Sequence, residues 1–102
     1  MMSIVSRLLP GAPPQFTAAS LHDAMAIAAL HAASFRRGWG EDEVSGLLTD
    51  STVVTHRAMI RRALVGFIMS RVAADEAEIL SVAIAPARRG RGLSRPLLDF
   101  HL

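Results

Sequence analysis

With 102 residues, 51% of them hydrophobic, the chain is sized for one domain with a single modest core. It has no cysteine, which excludes disulfides and thiolate metal sites, and no apolar run near the about 20 residues that a bilayer span needs. The isoelectric point of 11.0 is misleading: the formal charge is only +2, and with no Lys, Tyr or Cys little titrates between neutrality and the arginine range.

In chain order, Met1 to Pro14 reads as a tail that ends in Pro10-Gly11-Ala12-Pro13-Pro14. Its first nine residues are mildly apolar but carry only Arg7. They lack the basic start and uninterrupted apolar stretch of a signal peptide, so a soluble, cytoplasmic protein is expected. Gln15 to Ala18 reads as a short first strand. Ser20 with Asp23 three residues on forms a capping-box pattern, opening a helix over Leu21 to Ser34. Leu21, Met25 and Ala28 make one stripe of that helix, with Ile27, Leu30 and Ser34 beside it. Arg36-Arg37-Gly38-Trp39-Gly40 breaks the pattern, and Glu41-Asp42-Glu43 supplies the negative charge that favours a new helix start, running to about Leu48.

From Thr52 the composition turns β-branched and apolar. Thr52 to Met59 and Ala63 to Val72 read as two strands around an Arg61-Arg62 turn, with Gly66 marking a bulge. Ala74-Asp75-Glu76 makes the next turn, and Ala77 to Ile84 makes a fourth strand. This strand is apolar at nearly every position after Glu78, as expected of one covered on both faces. Pro86 ends it. A last helix begins near Leu93, with Pro96 in its first turn. No Gly, Asn or Pro terminates this helix before Leu102, and its apolar face should continue, so the chain reads as cut short.

The segment between fourth strand and last helix, Arg88-Arg89-Gly90-Arg91-Gly92-Leu93-Ser94-Arg95, carries the clearest chemistry. A glycine-rich turn into a helix presents bare backbone N–H groups, and with the helix dipole these favour an anion, typically a phosphate. Four arginines and no acid lie within those eight positions, leaving seven arginines against nine acids elsewhere. It is not a Walker loop, because no Lys-Ser/Thr follows. Nor is it a dinucleotide fingerprint, because the third glycine and the later ribose-binding acid are missing.

Other features read more plainly. His22, His31, His56 and His101 lack metal-ligand spacing, so no metal is expected, and His31 reads as a surface or boundary residue. Trp39 either lines a substrate groove or packs over the core edge. The arginine cluster has no interleaved aromatics, which argues against nucleic-acid binding.

The run Ala77-Glu78-Ile79-Leu80-Ser81-Val82-Ala83-Ile84-Ala85-Pro86, followed by Arg89-Gly90-Arg91-Gly92-Leu93-Ser94, resembles the GCN5-related N-acetyltransferase superfamily. That family's loop has the pattern Gln/Arg-x-x-Gly-x-Gly/Ala. Arg89 and Gly92 match it, and Ser94 departs while staying small. Asp75-Glu76-Ala77 and the segment Phe35 to Trp39 are most similar to the ribosomal-protein-alanine N-acetyltransferases. The resemblance covers residues 15–102. It implies an α/β fold, part of an acyl-CoA N-acyltransferase domain, with a mostly antiparallel sheet and helices on both faces.

It also implies a function. Acetyl-CoA would be the cosubstrate, with N–H groups from Gly90 to Arg95 on its pyrophosphate, and backbone groups of Val82, Ala83 and Ile84 pairing with pantetheine like an added strand. A strand N–H would hold the thioester oxygen as charge develops there. The acceptor would be an amine, in the nearest relatives a protein N-terminus. In the alanine-acetylating members the base is a Glu on a fifth strand and the acid a Tyr on the next helix, whereas histone-acetylating relatives carry their base at the place of Glu78. Neither that fifth-strand Glu nor that Tyr is present here, so Glu78 in Ala-Glu-Ile is the substitute base, its pKa raised if apolar neighbours enclose it. The alternative is a catalytically incomplete acyl-CoA-binding or dimerising remnant, self-associating through an exposed strand edge.

Overall fold

The computed structural model describes residues 12–102, so all but the last three residues of the expected Met1–Pro14 tail lie outside the described residues. Four strands form one antiparallel sheet in the order β1-β2-β3-β4: β1 (Gln15–Ala18), β2 (Val53–Ile60), β3 (Ala63–Ala73) and β4 (Glu76–Ile84). Three α-helices accompany it: α1 (Ala24–Ser34), α2 (Glu41–Leu48) and α3 (Ser94–His101). Helices lie on both faces, as the α/β expectation required. No helix among the described residues is long and apolar enough to cross a membrane.

One face of the sheet packs on α1 and α2. Ala24, Ile27 and Leu30 of α1 and Val44 of α2 bury against Phe67, Met69 and Ala83. The other face packs on α3, where Leu93 and Leu97 meet Ala58, Val65 and Ile68. The stripe expected from Leu21 and Met25 faces solvent instead. The inward stripe runs Ala24, Ile27, His31, at helical spacing i, i+3, i+7.

Local chemistry sets the ends of these elements. Leu21–Asp23 forms a 3-10 turn ahead of α1, where the Ser20 N–H donates to Asp23 Oδ2 at 2.9 Å. Asp23 is buried and also accepts from Arg57 Nη1 at 2.8 Å, so one carboxylate joins the start of the helix to the middle of β2. A second 3-10 turn, Pro86–Arg88, follows β4 and was not expected from the sequence.

Two bulges shape the sheet. Ala58 pairs with Gly66 and Met59 with Leu64, which leaves Val65 as an extra residue next to the glycine expected to mark the irregularity. Gly66 lets the strands approach closely there: a Cβ would lie 2.8 Å from Ile84 Cδ1, which would have to shift, and 3.3 Å from the Ala83 carbonyl oxygen. In β4, Ser81 pairs with Met69 and Ile79 with Ser70, leaving Leu80 as the extra residue.

β4 is the edge of the sheet, so the expectation that it is covered on both faces does not hold. Ile79 is 49% exposed and Val82 41%. An apolar run from a doubly covered strand and one from an apolar sheet edge look alike in sequence.

Candidate functional site

The site follows β4 from its bulge to the turn into α3. At the turn, Gly90 (φ 76°) and Gly92 (φ 74°) both occupy left-handed backbone, whereas Arg91 between them does not. Left-handed φ costs an L side chain roughly 1–2 kcal/mol, which accounts for glycine at both positions. Alternation of this kind turns successive N–H groups to one side, the geometry of an anion-binding nest, directly ahead of the α3 N-terminus.

Arg89 braces the loop as well as lining the groove beside it. Its Nε donates to the Ile84 carbonyl at 3.0 Å and its Nη2 to Ser34 Oγ at 3.0 Å, tying the loop to the ends of β4 and α1. The side chain of Leu93 is buried in the α3 core, so only its backbone is available to a ligand. Arg95 is exposed, with Asp99 3.8 Å away on the same helix. Arg88 and Arg91 line a cavity with Ile60, Gly92, Leu93 and Pro96, separate from the groove that Arg89 lines. The four arginines therefore do not converge on one point.

Beside the loop runs a groove of about 340 Å³ lined by Ser34, Phe35, Val82, Ala83, Ile84, Arg89 and Ser94. It brings together the Val82–Ile84 backbone and the loop, the two parts assigned to one cosubstrate. As the edge strand among the described residues, β4 offers this groove backbone groups with no partner strand on that side. Further along β4, at the bulge, a second cavity of about 400 Å³ is lined by His31, Phe35, Arg37, Ile79, Leu80, Ser81 and Val82. Phe35 and Val82 line both, so the two spaces are neighbours along β4.

His31 was expected at the surface, but it is only 4% exposed, because it lies on the stripe of α1 that faces the sheet. Its Nδ1 accepts the Trp39 backbone N–H at 2.9 Å, and its ring stacks on the Trp39 indole at 4.2 Å with a 10° tilt. Trp39 packs against the core at this point. Burial pushes the His31 pKa below its ordinary value, against the opposing pull of the Glu43 carboxylate. Ser81 is buried, and its hydroxyl has no hydrogen-bond partner among the described residues. Sequence reasoning missed both residues. The i, i+3, i+7 spacing of Ala24, Ile27 and His31 was the available signal for the first, whereas Ser81 looked like one polar residue in an apolar strand.

Glu78 is a correction of the opposite kind. It is exposed, pairs across the strands with Arg71, and lies outside both spaces. The apolar enclosure expected around it is absent. Among the described residues, no group of three His, Cys, Asp or Glu side chains could hold a metal ion.

No family model and no curated protein matches the chain. Solved structures do. The ribosomal-protein-S18-alanine N-acetyltransferase of Escherichia coli superposes with a TM-score of 0.79 at 18% identity, over 86% of this chain and 56% of that one. NAA60 of Arabidopsis thaliana, solved with acetyl-CoA, gives 0.73 at 15%, over 86% and 65%. An aminoglycoside acetyltransferase from an uncultured soil metagenomic sample, solved with sisomicin, gives 0.71 at 16%, over 85% and 66%. The fold is thus the α/β fold that these acetyltransferases share. The chain spans between about half and two thirds of their length.

Proposed function

We propose that this chain carries the acetyl-CoA-binding part of an N-acetyltransferase. The observation that carries the reading is the pair of left-handed glycines, Gly90 and Gly92, set between the edge strand and the α3 N-terminus. Acetyl-CoA fits what lies there. Its pyrophosphate meets the N–H groups from Gly90 to Arg95, and its pantetheine amides run along Val82, Ala83 and Ile84 as an added strand. Its thioester then reaches the bulge at Leu80, where an edge N–H can take the carbonyl oxygen. The amine nitrogen attacks the thioester carbon and the C–S bond breaks. The sulfur leaves with the electron pair, and the nitrogen gives up a proton while the thiolate gains one. The acceptor is a protein N-terminal α-amine, as in the ribosomal protein of the bacterial neighbour's name. The neighbours' names span a ribosomal-protein alanine and an aminoglycoside, so the fold alone does not select the acceptor.

Calorimetric titration of acetyl-CoA into the 102-residue chain, with dephosphorylated pantetheine as control, tests this reading. Saturable binding that depends on the phosphates is expected. Gly92→Asp places a side chain on left-handed backbone and a negative charge in the nest, and should abolish binding. Unchanged affinity would overturn the loop assignment.

A second reading rests on the exposure of Ile79 and Val82 at the β4 edge: two copies associate edge to edge and the chain does not catalyse. Pantetheine would need the same edge, so the two readings compete. Sedimentation velocity on the free chain should show concentration-dependent association under this reading, dispersed by acetyl-CoA. A monomer at all concentrations rules it out.

A further inference from the structure

The segment from Phe35 to Gly40, between α1 and α2, supplies one wall of the cavity at the β4 bulge through Phe35 and Arg37. It has no regular structure of its own, and two contacts fold it back onto the last turn of α1. Gly38 lies against Ala32, where a Cβ would come within 2.7 Å of the Ala32 Cα. That neighbour is backbone and cannot swing aside, so any side chain at 38 would lift the segment away. One residue on, the Trp39 N–H donates to His31 Nδ1 at 2.9 Å, and the indole stacks on the imidazole at 4.2 Å. Phe35 packs on the same ring at 4.4 Å. His31 is itself buried on the inward stripe of α1, with the Phe67 ring of β3 6.4 Å away. One imidazole thus ties an irregular segment to the core, and Phe35 and Arg37 both lie within four residues of the tie.

The tie has a chemical condition. Accepting an N–H at Nδ1 puts the ring proton on Nε2. A second proton would sit on Nδ1, set two N–H groups against each other and break the bond. Burial disfavours the charged ring and prevails over the Glu43 carboxylate of α2, which favours it. Arg37 on the cavity wall is a cation, and β3 and β4 present only Phe67 and the uncharged run Ile79 to Val82 on this side. The fold therefore keeps His31 neutral at neutral pH.

We propose that His31 is a positioning residue for the acceptor: by holding the Trp39 backbone it sets Phe35 and Arg37 at the wall where the acceptor amine meets the thioester, and it does so only as a neutral imidazole. His31 acts through the segment and touches neither substrate. The inference rests on the acetyltransferase reading above.

The test titrates the 102-residue chain with CoA, and then with an alanine-initiated tetrapeptide at saturating CoA. His31→Phe keeps the ring's bulk and stacking but removes the acceptor for the Trp39 N–H. Near neutral pH it should weaken peptide binding about five- to tenfold, the scale of one lost hydrogen bond, and leave CoA affinity within about twofold. His31→Asn offers an Oδ1 near the Nδ1 position and should recover most of the peptide affinity. Gly38→Ala lifts the segment without altering His31, and it too should weaken peptide binding severalfold while CoA binding holds. This variant keeps the test decisive if His31→Phe does not fold. As pH falls from about 7.5 to about 5, wild-type peptide affinity should drop severalfold more than that of His31→Asn, because His56 and His101 titrate alike in both chains. A merely structural role would lower Tm and both affinities together and give the two chains the same pH profile. Peptide affinity indifferent to His31→Phe and Gly38→Ala, no recovery in His31→Asn, matching pH profiles, or no peptide binding with CoA bound would each overturn the inference. Failure of CoA to bind overturns the acetyltransferase reading and the inference with it, and the separate CoA titration keeps the two failures apart.

Discussion

Each face of the sheet carries histidine, buried on one and half-buried on the other, and they use it differently. On the α1 face, His31 sits against the core with its Nδ1 satisfied by a backbone N–H and an open cavity beside it. On the α3 face, His56 and His101 face each other, Nδ1 to Nδ1 at 2.8 Å, and His101 Nε2 lies 2.6 Å from Ser70 Oγ. Phe100 packs edge-on against His56, its ring centroid 4.9 Å away. Burial lowers the pKa of all three rings. A depressed histidine is therefore no sign of a site by itself. What separates the faces is the surroundings: a run of hydrogen-bonded groups, His56 to His101 to Ser70, on the α3 face, and a cavity lined by His31 on the α1 face.

The α3 face is built for packing, so truncation there should have the largest effect. Leu97 is fully buried between Ala58, Val65 and Ile68. Leu97→Ala should cost about 2–5 kcal/mol in urea unfolding. Because α3 carries the end of the Arg/Gly loop, acetyl-CoA affinity should fall as well. A loss below about 1 kcal/mol would mean that α3 is not docked as described.

A smaller effect separates the two kinds of histidine. A folded-state pKa below the ordinary 6.5 means that the unfolded chain takes up protons first as pH falls. The imidazoles therefore leave stability intact above about pH 6.5 and erode it below. For the α3 pair the facing groups are the other ring, Ser70 and Phe100, and among the described residues no carboxylate is within ion-pair distance of either ring. For His31, Glu43 opposes the effect of burial. Amide exchange at pH 5 should consequently quicken in α3 more than in α1. Replacing His56 and His101 together with Phe and Leu should flatten the stability-against-pH curve below 6.5. Equal quickening of the two helices would remove the distinction.

Much of this was legible in the sequence because it follows local rules. The β-branched and apolar runs, the Ser20/Asp23 pattern, the acids opening α2 and the Arg/Gly turn each place an element within about three residues. What could not be read depends on which neighbour an element finds. The apolar run of β4 was legible, its edge position was not, and so Ile79 and Val82 proved exposed. Two stripes of α1 were apolar enough to face inward, and only packing against Phe67 and Met69 decided for the one that buries His31. Likewise, four arginines in eight residues suggested a concentrated anion site. In the structure Arg89 braces the loop while lining the groove, and Arg88 and Arg91 line a separate cavity beside Gly92.

Glu78 tests the comparison where the least effect is expected. The sequence offered it as a base because it stands in Ala-Glu-Ile near the fourth strand's apolar run. Its usefulness depended on enclosure, and in the structure it is an exposed residue opposite Arg71, before the bulge and outside the cavity that His31 and Ser81 line. Glu78 makes no ion pair among the described residues, and Arg71 pairs with Asp50 instead, so Glu78→Gln should change stability by no more than about 0.5 kcal/mol. Acetyl-CoA and peptide affinities should stay within twofold. Should the chain acetylate the tetrapeptide, its rate should also survive the substitution, since water can reach an amine proton as readily as this carboxylate can. A loss of 100-fold or more in rate with both affinities preserved would return Glu78 to the role of base. It would also show that the bulge end of β4 closes over its outer residues when both substrates are bound, because only a closed site could turn this surface carboxylate into a general base.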